Sequence, residues 1–91
     1  MKKKDIRILL VDDDADILEI VGYNLSQEGY QISTAINGRD AIAKAKKTLP
    51  HLIIMDVMMP EMDGMEACEN IRKIPELSNV IIAFLTARSE D

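Results

Sequence analysis

Apolar residues gather in four short runs separated by segments of a different rhythm. The first run, residues 6–11, is almost continuous: Ile6, Ile8, Leu9, Leu10 and Val11, interrupted by Arg7. Short β-branched runs of this kind read as strands buried on both faces of a parallel sheet. Asp12, Asp13 and Asp14 end it abruptly, and Ile17, Leu18, Ile20, Val21 and Leu25 then recur at helical spacing. Asp14 or Asp16 suits the helix start, where a carboxylate accepts from free N–H groups, and Gly29 suits its end. Residues 30–35 predict a second strand, followed by a turn signal at Asn37-Gly38. Ala41, Ile42 and Ala45 mark a second helix with Lys44, Lys46 and Lys47 in its last turns, closed by Pro50. Residues 52–55 predict a third strand ended by Asp56. A loop with Pro60 and Gly64 leads to a third helix carrying Met65, Cys68 and Ile71, with Pro75 beyond. Residues 80–85 predict a fourth strand, ended by Thr86. The order βαβαβαβ implies an α/β fold with a parallel sheet and right-handed crossovers.

Composition narrows the class. The chain has 91 residues, 47% of them apolar and 30% charged, which fits one folded domain rather than a disordered chain. No apolar run approaches the ~20 residues of a membrane helix, and the basic start meets three Asp too soon for an export signal. Cys68 is the single cysteine, which leaves no disulfide framework or thiolate metal site and points to a cytoplasmic setting. Few aromatics and a net charge of −5 argue against direct nucleic-acid binding. That charge is uneven. Residues 1–7 carry a local +3, so the rest of the chain carries −8.

The acids cluster where strands end. Ligands of open parallel sheets bind outside the carboxyl ends of the strands. Asp12, Asp13 and Asp56 therefore converge, with Thr86 beside them. Two carboxylates ~4 Å apart repel by ~4 kcal/mol at an effective dielectric of about 20. A hard divalent cation relieves that repulsion, and Mg²⁺ takes a few carboxylates plus waters and phosphate oxygens. Asp14 and Asp16 are better explained as helix caps. An EF-hand fails on spacing: Asp12, Asp14 and Asp16 match its first ligands, but Ile17 and Tyr23 stand where Gly and Glu are required. A phosphatase with a nucleophilic Asp commonly has an acid two residues later, and Met58 stands there instead. The methionines at 55, 58, 59, 62 and 65 read as gap-filling around the third strand and helix. Cys68 reads as a small buried apolar residue, and His51 as part of a surface loop at the end opposite the acids.

The stretches Ile8-Leu9-Leu10-Val11-Asp12-Asp13-Asp14, Asp56-Val57-Met58-Met59-Pro60-Glu61-Met62-Asp63-Gly64 and Phe84-Leu85-Thr86-Ala87 resemble the receiver domain of bacterial two-component response regulators. The likeness covers essentially the whole chain, residues 1–91. It is nearest to receivers that carry a C-terminal winged-helix DNA-binding domain. It implies a flavodoxin-like doubly wound sheet of strand order 2-1-3-4, with the first helix on one face and the next two on the other. It also implies a fifth strand with flanking helices, bearing a lysine and an aromatic residue that have no counterpart here. An incomplete receiver with an open fourth strand is therefore expected to self-associate.

The resemblance assigns roles residue by residue. Asp56 corresponds to the acceptor of a phosphoryl group from a sensor histidine kinase. Asp12 and Asp13 correspond to the acids that hold Mg²⁺ with Asp56, and Met58 to the backbone carbonyl completing the metal shell. Thr86 corresponds to the hydroxyl that bonds the phosphoryl oxygen, and Ala87 to a small residue leaving room for it. Pro60 and Gly64 correspond to the loop that shapes the site. The implied function is a phosphoacceptor that assists its own phosphorylation, not a turnover enzyme, and reaches DNA only through an output domain. A degenerate or truncated receiver serving as a binding or dimerisation module is the alternative, and an aspartyl-phosphate hydrolase the third.

Overall fold

The computed structural model describes residues 1–85; Thr86 and Ala87 lie outside the described residues. The strands are β1 (Arg7–Val11), β2 (Gln31–Ala35), β3 (Leu52–Asp56) and β4 (Ile81–Leu85). Between them run α1 (Ala15–Gln27), α2 (Gly38–Thr48) and α3 (Gly64–Arg72). Short 3₁₀ turns at Lys3–Asp5 and Pro75–Leu77 add to the predicted pattern. All pairings are parallel, in the order β2-β1-β3-β4. The first crossover runs opposite to the next two, which places α1 on one face and α2 and α3 on the other.

The two faces follow from the period of two along each strand. Leu9, Val11, Ile53 and Met55 point into the larger core, against Ala41 and Ala45 of α2 and Ala67 and Ile71 of α3. Ile8 and Leu10 point the other way and meet Leu18, with Val21, Leu25, Ile32 and Ile54 around them. The alanines let α2 and α3 lie close to the sheet. Among the described residues β4 is paired to β3 alone, and Ile81 remains 66% exposed.

The ends of the elements show where local chemistry acts. Asp14 caps α1, its carboxylate accepting from the N–H groups of Asp16 and Ile17. Gly29, at φ 108°, then turns the chain toward β2, in a conformation that favours glycine. Asn37-Gly38 is a helix start rather than a free turn: the Asn37 side chain accepts from the Asp40 N–H at 2.7 Å, and Gly38 is already helical. Leu49 ends α2 in the left-handed region, at φ 47°, with its N–H donating to the Ala45 carbonyl, and Pro50 cannot continue the helix. The Arg7 guanidinium donates to the carbonyls of Thr48 and Leu49 at 2.9 and 2.8 Å, satisfying two groups the helix leaves unpaired.

Two side-chain expectations change. The methionines divide: Met55 and Met59 are buried and Met62 packs against the core, but Met58 and Met65 are exposed. Their place in the β3–α3 loop and on the outer side of α3 keeps them out of the gap they were expected to fill. His51 does lie at the end opposite the acids, yet it is half-buried, and its Nδ1 accepts from the Arg7 N–H at 3.0 Å. Cys68 is half-buried against the larger core.

Candidate functional site

β1 and β3 are neighbours, with Val11 level with Met55. The residues that follow, Asp12 and Asp56, therefore emerge side by side at the carboxyl end of the sheet. Asp13 continues from β1 before the chain turns into α1. Asp12, Asp13 and Asp56 each present a carboxylate oxygen within 4.8 Å of the others. Asp12 and Asp56 are 8% exposed, while Asp13 faces solvent. The group is thus a buried pair of acids with an open side.

Backbone donors hold two of the three in place. The Asp14 N–H donates to Asp12 Oδ1 at 2.9 Å, and the Met58 N–H to Asp56 Oδ1 at 3.1 Å. The remaining carboxylate oxygens have no cation beside them: among the described residues, no lysine, arginine or histidine forms an ion pair with Asp12, Asp13 or Asp56. The Asp12 carboxyl titrates above its usual range. Burial is the main cause; Asp56, Asp13 and Asp14 add like charge, and the Asp14 N–H pulls in the opposite direction. Hard oxygen donors, excess negative charge and an open side are what an oxygen-preferring divalent cation requires. The donor set fits Mg²⁺.

The loop after β3 is shaped by close backbone contact. The Gly64 N–H donates to the Val57 carbonyl at 2.9 Å. A Cβ at Gly64 would lie 2.5 Å from the Asp56 carbonyl oxygen and 3.0 Å from Val57 Cα. Glycine is therefore required at this point by the approach of the α3 N-terminus to the peptide following the buried acid. Turn glycines look alike in sequence, so this role was not legible there. Asp63 caps α3 by accepting from the Glu66 N–H at 2.9 Å, a cap the Asp63-Gly64 pair could have signalled before the apolar periodicity begins. Pro60 is exposed in the same loop, and Glu61 adopts a positive φ of 68°. Met58 places a thioether, not a proton donor, two residues after Asp56, against the hydrolase alternative.

A parallel sheet in this order, with acids massed where its crossovers change direction, defines a class of ligand-binding α/β domain. Residues 8–91 match the family model described as the response regulator receiver domain, and the chain belongs to that family. It is 39% identical over 85 residues to the alkaline phosphatase synthesis transcriptional regulatory protein PhoP of Bacillus subtilis, covering 93% of this chain and 35% of that protein. It is 42% identical over 85 residues to the CpxR homolog of Haemophilus influenzae, with 93% and 36% covered. The chain thus spans about a third of the length of these curated relatives. Among solved structures, the chemotaxis protein CheY4 of Vibrio cholerae superposes with a TM-score of 0.89 at 36% identity, over 93% of this chain and 71% of that one. CheY in the CheX–CheY–BeF₃–Mg²⁺ complex of Borrelia burgdorferi superposes with a TM-score of 0.82 at 26% identity, over 94% and 65%. The flavodoxin-like receiver fold is thereby established. None of the described helices is long and apolar enough to cross a membrane.

Proposed function

We propose that this chain is a phosphoacceptor of a two-component system, taking a phosphoryl group from the phosphohistidine of a sensor histidine kinase onto Asp56. The observation that carries this reading is the convergence of Asp12, Asp13 and Asp56 within 4.8 Å at the carboxyl ends of two adjacent strands. The Asp56 carboxylate is the nucleophile: one oxygen forms the new bond to phosphorus as the bond to the histidine nitrogen breaks, and that nitrogen keeps the electron pair. The Met58 N–H orients the carboxylate by holding Oδ1. Asp12, Asp13, Asp56 and the Met58 backbone carbonyl would hold Mg²⁺, which when bound offsets the negative charge gathered by the acids and the incoming phosphoryl oxygens. By the family resemblance, Thr86 would supply a hydroxyl to a phosphoryl oxygen, and Ala87 corresponds to the small residue that follows it.

The product, an acyl phosphate, is the signal relayed to an output, which for relatives described as transcriptional regulators is gene control. DNA is reached only through such an output domain, and the setting is cytoplasmic. The edge of β4 that has no strand partner among the described residues supports self-association. The direct test of phosphorylation is incubation with acetyl phosphate and Mg²⁺, followed by intact mass measurement. A gain of one phosphoryl group that is absent in Asp56→Asn is expected. An equal gain in Asp56→Asn overturns the proposal.

A further inference from the structure

Five methionines lie between residues 55 and 65, and the fold uses them in two ways. Met55 and Met59 are 0% and 7% exposed and serve the core, whereas Met58 and Met65 are 65% and 54% exposed. Met58 lines an open depression of about 440 Å³ with Val57, Met59 and Asp63, in the loop that follows Asp56. Its own N–H is bonded to Asp56. The residue that carries this exposed side chain thus also donates its backbone N–H to the proposed phosphoacceptor. Cys68, the single thiol, is half-buried, whereas Met58 stands two residues from Asp56 with its side chain 65% exposed.

The geometry points to Met58 as a site of reversible oxidation by hydroperoxides that lowers phosphorylation of Asp56. The functional half of this inference rests on the phosphoacceptor reading. In the step itself, a sulfur lone pair attacks one peroxide oxygen and the O–O bond breaks. The departing hydroxide takes up the proton, giving the sulfoxide and water; sulfur is oxidised and the peroxide reduced. The side chain changes from apolar to strongly polar, with partial negative charge on the new oxygen. That charge stands beside a site that must admit an anionic phosphoryl donor, so entry becomes less favourable. Sulfoxide reductases reverse the change, so the effect on phosphorylation would be reversible.

The test uses the full chain and hydrogen peroxide. Peptide mass spectrometry follows each methionine, while labelling by acetyl phosphate and Mg²⁺ is timed before and after treatment. Met58 and Met65 are expected to oxidise before Met55 and Met59. Met1, 85% exposed and near Pro50 and His51 at the other end of the sheet, serves as an internal control for bulk oxidation. The labelling rate is expected to fall by about threefold or more as Met58 is oxidised. In Met58→Leu the ratio of rates with and without peroxide stays near one, whereas Met65→Leu keeps the sensitivity. Sulfoxide reductase restores the rate. Met58 remaining reduced while Met55 oxidises, or an equal loss in Met58→Leu, overturns the inference. A chain that never labels, even before peroxide, overturns the phosphoacceptor reading and this inference with it; a chain that labels but ignores peroxide overturns this one alone.

Discussion

Replacing Gly64 by alanine places one methyl group against the backbone that carries Asp56. The new Cβ meets the Asp56 carbonyl oxygen at 2.5 Å, Val57 Cα at 3.0 Å and the Asp56 carbonyl carbon at 3.2 Å. Non-bonded carbon atoms are comfortable at ~3.5–4.0 Å, so the Asp56–Val57 peptide and the start of α3 must separate by roughly half an ångström or more. Both colliding groups are backbone, and neither has a rotamer into which it can retreat. Overpacking of this kind costs ~1–3 kcal/mol. The entropy alanine removes from the unfolded chain offsets ~0.4–1 kcal/mol, leaving a net loss between about 0 and 2.6 kcal/mol. The functional effect is the larger one, because an acid displaced by ~1 Å from its working position can lose ~10²-fold in rate. Urea unfolding measures the first quantity and acetyl phosphate labelling at Asp56 the second. Unchanged stability together with an unchanged labelling rate would mean that the Cβ finds space the structure does not contain.

The charge on Asp12 gives a pH dependence of definite sign. Its carboxyl pKa is raised in the native state, chiefly by burial, so the folded protein keeps that proton to higher pH than the unfolded chain does. Without metal, its contribution to unfolding free energy must fall as pH rises from the ordinary carboxylate range through the native pKa. Urea midpoints in EDTA should show this slope in the wild type and a weaker one in Asp12→Asn; an equal slope in the variant rules the attribution out. Asp14→Ala removes the α1 cap and should cost ~1 kcal/mol in the same assay. Arg7→Met removes the donors to the Thr48 and Leu49 carbonyls and should cost ~1–2 kcal/mol, with amide exchange speeding up in the last turn of α2. No change in that exchange would mean that water replaces the guanidinium without loss.

Legibility in the sequence tracked the range of the interaction responsible. β1 and β3 were readable because an unbroken apolar run ending in acid has few alternatives, and α1 because Leu18, Val21 and Leu25 recur on one face. The acid convergence was readable because topology alone brings adjacent strand ends together. Asn37-Gly38 was ambiguous, since the side chain that favours a turn also caps a helix, and only the bond to the Asp40 N–H decides between them. His51 lies 44 positions from the Arg7 N–H it accepts from, so no local pattern records that bond. Gly64 is required by a backbone that reaches it only after α3 has docked. The methionines share a composition but divide between core and solvent by strand and helix face, a distinction their spacing leaves open.

Borohydride reduction after phosphorylation identifies the acceptor residue, because it converts an aspartyl phosphate into homoserine at the residue that carried it. The 91-residue chain treated with phosphoramidate and Mg²⁺ is expected to yield homoserine at position 56, with the yield abolished by EDTA. Homoserine at any other acid, or a yield at position 56 that is indifferent to EDTA, would contradict the account.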